Sequence, residues 1–410
     1  MDDINIKDFY IRQITEDFYP YWKKFEDQKY GGVLNCIDNR GEKLLAQDKF
    51  TWSQGRYLWV LSKLIELSEN KSIGGLDLDH LKRQAGMTYE FIKTNAIYGD
   101  TRCYYLLDRK GGSMRDPVSG EYDASIFADC FALIGMAEYA RILNVATEVK
   151  LVTSLYESIK RRIVADNYKT EPYPIPEGYK NHSIPMIMLN TTYEFMLMLE
   201  NFGMDLDGHQ NYLLELVESI LDDFHEDNLI REFVSNDDNR NVKMLDRHIN
   251  PGHTLEDMWF IIEALQKYGN LEHYLETIIL ISKKTFNVGW DKEYGGLLRY
   301  VDKQGGPPVG EIDDFSYTRL IQDTHDMKLW WPHSEALYLP LLLHKLTGNE
   351  EHMDWYKEVH DYVFETFPNT EVGEWIQIRE RDASPVEKVV ALPVKDPFHI
   401  LRNFIKIIEL

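Results

Sequence analysis

The chain has 410 residues, of which 44% are hydrophobic, and its formal net charge is −23. This size permits one large domain or several ordinary ones, and the acidic balance disfavours nucleic acid and anionic membrane surfaces as partners. The N-terminus lacks the apolar segment of a signal peptide, no apolar run reaches transmembrane length, and the three cysteines show no metal or disulfide spacing. We therefore expect a cytoplasmic protein that binds neither nucleic acid nor membrane.

Helical periodicity dominates the chain and predicts about twelve amphipathic helices. No Ser/Pro-rich linker or low-complexity stretch separates them, so we interpret residues 1–410 as a single domain. In chain order, the predicted helices cover residues 7–27, 51–70, 79–97, 125–144, 147–163, 184–201, 209–223, 253–267, 270–286, 331–346, 350–364 and 397–409.

One segment occurs twice. "DQKYGGVLNCIDNRG" at 27–41 aligns with "DKEYGGLLRYVDKQG" at 291–305, and a weaker copy, "YYLLDRKGG", lies at 104–112. Each predicts a strand followed by a turn that carries Asp and Gly. Twelve helices make six helical hairpins of about 68 residues each, and the two copies are separated by close to four such units. We predict an all-α fold, an (α/α)6 barrel with short β-hairpin loops at its mouth; the rival is an open α-solenoid.

Two helix starts in the second half of the chain share one short pattern, "NPGH" ending at His253 and "DPFH" ending at His399. Asn250 and Asp396 are favourable N-caps and the proline suits the first helical position, so both histidines fall at the third. The positive end of the helix dipole disfavours imidazolium there, which predicts two neutral bases that could face one substrate from opposite sides. The alternative is that each histidine only caps its helix or lies on the surface.

Each of these histidines has a charged residue three positions later, on the same helical face. Glu256 follows His253 and could orient it or bind a hydroxyl group. Arg402 follows His399 and could polarise a carbonyl oxygen and stabilise developing negative charge.

Three further polar residues lie in apolar or aromatic helical segments. Glu335 lies one turn into the helix of "WWPHSEALYL", beside Trp331; Arg56 lies within "FTWSQGRYLWV"; and Asn190 lies within "IPMIMLN". Each could bind substrate, and we count Trp331 and Asn190 among the substrate-binding candidates. The alternatives are an acidic first turn for Glu335, a structural ion pair for Arg56 and a loop contact for Asn190.

No glycine-rich loop fits the phosphate-binding or dinucleotide-binding patterns, and no histidine, cysteine or carboxylate cluster offers a full set of metal ligands. We therefore expect chemistry that requires neither a metal nor a cofactor.

The segments "FTWSQGRYLWV", "IPMIMLN", "NPGHTLEDMWF", "DMKLWWPHSEA" and "DPFHILR" together resemble the N-acylglucosamine 2-epimerase family over nearly the whole chain. "NPGHTLE" and "DMKLWWPHSEA" are especially similar to the acylglucosamine epimerases; the likeness to cellobiose 2-epimerases and to mannose or sulfoquinovose isomerases is looser. The resemblance implies an (α/α)6 barrel and an acid/base pair, His253 and His399. It also implies a pocket lined by Arg56, Glu256, Glu335 and Arg402.

The activity implied by the resemblance is epimerisation at C2 of a ring-opened sugar. One neutral histidine removes the proton next to the carbonyl, an arginine stabilises the enediolate, and the second histidine returns a proton to the other face. The motif wording favours interconversion of N-acyl-D-glucosamine and N-acyl-D-mannosamine. An aldose–ketose isomerase, or a 2-epimerase of an unmodified sugar or disaccharide of the mannose or cellobiose type, remains the alternative.

Two hypotheses from other classes also stand. A glycoside hydrolase on the same barrel would use two carboxylates such as Glu256 and Glu335, and a non-catalytic protein would bind a protein partner. Neither accounts for the paired histidine motif. The resemblance leaves a nucleotide effector open and implies a possible homodimer.

Overall fold

The structure is a computed structural model that describes residues 3–99, 101–235, 242–390 and 392–410. Twelve long helices account for nearly half of the described chain. They are α1 Asp3–Arg12, α2 Thr51–Glu69, α3 Leu78–Phe91, α4 Ile126–Ile142, α5 Val149–Val164, α6 Ser183–Asn201, α7 Asp207–Ser219, α8 Pro251–Tyr268, α9 Leu271–Gly289, α10 Trp330–Thr347, α11 Glu350–Thr366 and α12 His399–Glu409.

Several long helices continue past these bounds, and two short helices were not predicted. α1 continues through Gln13–Phe18 and Tyr19–Lys23, α3 through Ile92–Ala96 and α7 through Ile220–Phe224. The short helices, Met244–Arg247 and Ser316–Thr324, lie between long ones. They are too short to show a clear helical period in the sequence.

Six of the helices form a closed inner ring. α2 packs against α4, α4 against α6, α6 against α8, α8 against α10 and α10 against α12, and α12 returns to α2. The remaining helices pack outside it: α3 on α2, α5 on α4, α7 on α6, α9 on α8, α11 on α10 and α1 on α12. This closure confirms the predicted (α/α)6 barrel and excludes the open solenoid.

Large apolar side chains fill the core of the barrel, among them the fully buried Trp22, Trp59 and Trp259. Apolar burial of this kind contributes roughly 25 cal/mol per Å² to folding. Within the described ranges, no helix is long and apolar enough to cross a membrane.

Short antiparallel strands connect the helices at one end of the ring, and four of them directly precede inner helices. In the second repeat, the strand Val301–Asp302 pairs with the strand before α8. The pairs are Lys49–Phe50 with Leu106–Leu107, Leu106–Leu107 with Ser113–Met114, Ile97–Tyr98 with Arg102–Cys103, Tyr179–Asn181 with Phe233–Ser235, His225–Glu226 with Leu229–Ile230, His248–Ile249 with Val301–Asp302, Lys328–Leu329 with Ile378–Arg379 and Pro368–Asn369 with Glu374–Trp375.

The two copies of the repeated segment make equivalent contacts. Asp27 accepts a hydrogen bond from Lys49 Nζ at 3.0 Å, and Asp291 accepts one from Lys328 Nζ at 3.0 Å. All four side chains are almost completely buried, and an arginine completes each cluster. Because each lysine lies directly before an inner helix, the clusters fix where α2 and α10 begin.

The repeat also places two candidate site residues at equivalent positions. Arg56 lies seven residues after Lys49 on α2, and Glu335 lies seven residues after Lys328 on α10. These two oppositely charged side chains therefore point into the ring from equivalent turns of α2 and α10.

Candidate active site

A cavity of about 180 Å³ lies inside the ring, at the end where the strands lead into the inner helices. All six inner helices contribute lining residues, among them Arg56, Phe131, Asn190, His253, Trp331 and His399. Glu256 and Arg402 also line the cavity. Glu335 lies directly behind His399 and is completely buried. The structure thus brings all of the predicted site residues together.

The two histidines are held by equivalent cap contacts. Asn250 Oδ1 accepts a hydrogen bond from the backbone N–H of His253 at 3.3 Å, and Asp396 Oδ2 accepts one from that of His399 at 3.2 Å. The predicted start of α12 at residue 397 is wrong, since α12 begins at His399 itself. Asp396 also accepts the Phe398 N–H at 3.0 Å. The turn before α12 is therefore held by hydrogen bonds to a side chain and not by helical backbone bonds.

The indole of Trp331 lies between the two imidazoles. Its ring centroid is 5.0 Å from that of His253 and 5.7 Å from that of His399, tilted by 39° and 43°. The ring centroids of the two histidines are therefore no farther apart than the sum of these two distances. Rings separated by one indole can both contact a single small molecule in the cavity.

His253 is held by a carboxylate that the sequence analysis did not identify. Both oxygens of Glu232 lie 3.0 Å from His253 Nδ1, and Glu232 is buried. The suggestion that Glu256 orients His253 is wrong, because Glu256 turns towards Arg402 on α12. Glu232 therefore fixes the ring and leaves Nε2 as the nitrogen available to a ligand.

The pKa of His253 shifts in the opposite direction to the one predicted from the helix dipole. Burial by itself would lower the pKa of His253, but the facing Glu232 carboxylate outweighs burial, and the pKa is raised. The helix dipole is the weaker influence here because a full charge lies at hydrogen-bond distance.

His399 is held between a carboxylate and an arginine. Its Nδ1 lies 2.8 Å from Glu335 Oε1, and its Nε2 lies 3.2 Å from Arg56 Nη2. Arg402 Nη2 also lies 3.2 Å from Nδ1, but the ionised Glu335 is nearer and can only accept, so we assign the proton to Nδ1. In this tautomer the lone pair on Nε2 accepts the N–H of Arg56 at the wall of the cavity.

Arg402 joins two buried carboxylates behind the histidines. Its Nη2 donates to Glu256 Oε1 and, at 2.6 Å, to Glu335 Oε1. Trp259 Nε1 donates to the other oxygen of Glu335 at 2.8 Å. Although burial would raise the pKa of Glu335, Arg402 lowers it to about 2, so this carboxylate is ionised. The cluster is an ion-pair network with one guanidinium for two carboxylates.

Arg56 lies among aromatic rings, as its sequence context predicts. Its guanidinium is 4.0 Å from the Phe131 ring centroid and 5.0 Å from that of Trp52. The nearest carboxylate, Asp396, is 3.6 Å from Nη1, which is too long for a strong hydrogen bond. Burial lowers the pKa of Arg56 to about 10, so it stays cationic at neutral pH. Its Nε is buried and, within the described ranges, has no hydrogen-bond partner.

Asn190 lies in the wall of the cavity on α6 and is 5% exposed. The alternative that its side chain caps a neighbouring loop is not supported, because no hydrogen bond to another described residue involves its amide. A buried amide requires a partner. A ligand in the cavity would supply one.

Some residues that line the cavity come from loops and were not predicted from the sequence. Glu232, Asn181 and Arg299 line the cavity from the hairpin segments that precede α6, α8 and α10. These segments have no helical period, and their pairings join residues far apart in the chain. Their short apolar runs predict strands and not a site.

Glu256, Glu335 and His399 present ligand atoms within 4.8 Å of one another and could in principle hold a metal ion. However, the two carboxylate oxygens are the ones that accept hydrogen bonds from Arg402. The guanidinium thus provides the positive charge that a metal would bring.

The closed ring of helices and its cavity with two imidazoles define a helical-barrel protein equipped for acid/base chemistry on a small molecule. Residues 32–402 match the family model described as N-acylglucosamine 2-epimerase (GlcNAc 2-epimerase). The chain belongs to this family, which confirms the resemblance found in the sequence and makes the protein an isomerase of the carbohydrate epimerase class.

Individual relatives span the same length. The N-acylglucosamine 2-epimerase of Homo sapiens is 27% identical over 406 residues, covering 96% of this chain and 87% of the human protein. That of Mus musculus is 26% identical over 407 residues, covering 96% and 88%. The cellobiose 2-epimerase of Ruminococcus albus is 24% identical over 429 residues, covering 97% of each chain.

Solved structures share the fold. The cellobiose 2-epimerase from Bacillus thermoamylovorans superposes with a TM-score of 0.77 at 17% identity, covering 99% of both chains. A D-mannose isomerase superposes with a TM-score of 0.76 at 12% identity, covering 99% of this chain and 97% of the other. At these identities the likeness defines the barrel and not the substrate.

Proposed function

We propose that the protein interconverts N-acyl-D-glucosamine and N-acyl-D-mannosamine by removing and returning the proton on C2. The observation that carries this proposal is the pair of imidazoles, His253 and His399, on one cavity, each hydrogen-bonded to its own carboxylate and both in contact with Trp331. Inversion at one carbon requires an acid and a base on opposite faces. The names of the human and mouse relatives support the choice of substrate.

In the proposed reaction the sugar reacts in its open aldehyde form. Nε2 of His399 takes the proton from C2, the electron pair of the broken C–H bond moves into the enediolate, and Nε2–H of His253 protonates the opposite face. In the reverse direction the two histidines exchange roles. Ring opening also needs an acid or base, and a histidine suits this better than Glu335, which Arg402 keeps ionised.

Arg56 is placed to stabilise the enediolate. Its Nη2 lies 3.2 Å from His399 Nε2, so the proton acceptor and a guanidinium donor are adjacent in the cavity. A carbonyl oxygen next to C2 would accept that N–H as negative charge develops on it. Donors aimed at such an oxygen contribute strongly where a site excludes water.

The size of the cavity supports a single sugar ring. Its volume of about 180 Å³ is below the roughly 300 Å³ at which pockets for drug-sized ligands begin. A disaccharide is therefore disfavoured. An aldose–ketose isomerase acting on a monosaccharide such as mannose stays the alternative, since it would use the same enediolate and deliver the proton to C1.

We further propose that the reaction needs no metal or cofactor, because both protonation sites and the stabilising cation belong to the chain itself. Whether a nucleotide acts as an effector is left open. We propose that the protein is cytoplasmic and forms a homodimer. The net charge of −23 disfavours nucleic acid as a partner.

Proton NMR in D2O tests the substrate and the reaction together. N-Acetylmannosamine, N-acetylglucosamine, mannose, glucose and cellobiose are incubated separately with the protein. We expect the C2–H signal of the two N-acetyl sugars to disappear while each gives the other. Formation of a ketose would instead identify an isomerase, and turnover of cellobiose a disaccharide epimerase. No exchange with any sugar would favour a non-catalytic role.

A further inference from the structure

Glu232 has contacts that single it out among the acidic residues of the cavity. It lies between the strands Leu229–Ile230 and Phe233–Ser235 and is 2% exposed. Its backbone C=O accepts the N–H of His182 at 3.0 Å, which fixes its position. Within the part of the chain that the structure describes, its carboxylate is ion-paired with His253 alone.

Glu335, the corresponding partner of His399, is shared differently. Its oxygens accept hydrogen bonds from Arg402 at 2.6 Å and from Trp259 at 2.8 Å as well as from His399 at 2.8 Å. A guanidinium therefore offsets part of its charge. The two imidazoles have matching carboxylates, but among the described residues only the carboxylate beside His253 is free of another cation.

We propose that Glu232 is a positioning residue that holds His253 as the proton-carrying member of the pair, so that His399 is the base in the first half-reaction. This inference rests on the proposed function. The proton balance is closed: one proton passes from C2 to His399, one passes from His253 to C2, and solvent exchange restores both rings. The reverse direction starts from the opposite protonation of the pair.

Other charged groups around His253 act less directly. Arg299 disfavours the imidazolium and Glu256 favours it, but Glu256 is bound to Arg402. Burial lowers the pKa of His248 to about 4, so that ring is neutral. Asp257 is hydrogen-bonded to His182 at 2.9 Å. Glu232 thus remains the dominant charge facing the ring.

The first experiment measures the protonation of His253 itself, without any sugar. The full chain, labelled with ¹⁵N-histidine, is titrated by NMR, and the His253→Asn spectrum assigns the signal. We expect Glu232→Gln to lower the pKa of His253 by about one unit or more. Glu226→Gln removes a partly exposed carboxylate of the same hairpin and should leave it unchanged. An unchanged pKa in Glu232→Gln would overturn the proposal.

The second experiment uses pH–rate profiles in both directions. In the reaction direction in which His253 donates the proton, Glu232→Gln should move the alkaline limb of the profile to lower pH. In the direction in which His253 accepts the proton, Glu232→Gln should move the acid limb to lower pH. Glu232→Asp should restore part of each shift and covers the case in which Glu232→Gln does not fold. Equal loss of kcat at all pH values would contradict the assigned role. If no sugar is epimerised, the proposed function fails while the NMR titration still decides the role of Glu232.

Discussion

His399 Nδ1 lies 2.8 Å from Oε1 of Glu335, and this contact joins the first residue of α12 to the second turn of α10. Because Glu335 is ionised, it fixes the imidazole in the tautomer that carries its proton on Nδ1. The lone pair on Nε2 then points towards Arg56 and the cavity. The orientation of the proposed base therefore depends on a carboxylate that does not line the cavity itself.

Replacing Glu335 by glutamine should lower kcat by about 10²-fold or more, the scale of a lost acid/base group. The amide keeps the shape but removes the charge that orients and supports His399. Steady-state kinetics at several pH values measures the effect. Glu138→Gln is the matched control, since Glu138 is buried and paired with Arg141 but does not line the cavity. Similar losses of kcat in both variants would contradict the account.

Replacing Arg402 by methionine should destabilise the fold strongly. Glu256 and Glu335 would both stay buried near each other without their shared cation. Breaking a buried pair in this way costs about 3–5 kcal/mol. Urea unfolding followed by circular dichroism measures the loss. A loss below about 1 kcal/mol would show that the two carboxylates are satisfied in another way.

Gly296 should not tolerate a side chain. Its φ is +75°, and a Cβ there would lie 2.4 Å from the ring of Tyr362 and 2.8 Å from His333 Nε2, the atom that accepts the N–H of Leu297. Gly296→Ala is expected to cost more than about 2 kcal/mol. Gly305 has a similar φ of +86° with no atom within 4 Å of a Cβ, so Gly305→Ala should show the backbone strain alone, about 1 kcal/mol. Equal costs measured by thermal unfolding would remove the steric argument.

Asp27 should contribute stability that depends on pH. Burial would raise its pKa, but hydrogen bonds from Arg109 and Lys49 lower the pKa of Asp27 to about 2. An Asp in the unfolded chain has a pKa of about 3.9, so the contribution is complete above that value and is lost as the pH falls through about 2. The difference in unfolding free energy between the wild type and Asp27→Asn should therefore shrink below about pH 4. A constant difference down to pH 2, measured by urea unfolding, would contradict this.

The sequence contained most of the barrel because helical periodicity and cap residues are local signals. The twelve long helices follow from patterns within about twenty residues. The shared cap contacts of Asn250 and Asp396 were predictable for the same reason. The start of α12 was not, because Asp396 closes that turn with its side chain.

The pairing of charges in the site could not be predicted from the same information. Spacing on one helix suggested that Glu256 serves His253, but the ring brings Glu256 to Arg402 and brings Glu232, 21 residues earlier, to His253. Contacts between helices and loops depend on the closed ring, which no single segment encodes. Hence the predicted site residues do lie together, while the pairing of Glu232 with His253 and of Glu256 with Arg402 was not predicted.

Deuterium exchange by single histidine variants tests the two-base account most directly. In D2O, the His253→Asn variant should still exchange the C2–H of the epimer whose C2–H faces His399. The His399→Asn variant should exchange the C2–H of the other epimer, and neither variant should invert C2. Proton NMR of both N-acetyl sugars reports exchange and epimerisation separately. Exchange of opposite epimers by the two variants, with epimerisation abolished in both, is the predicted result. Retained epimerisation in either variant, or exchange of the same epimer by both, would contradict the account.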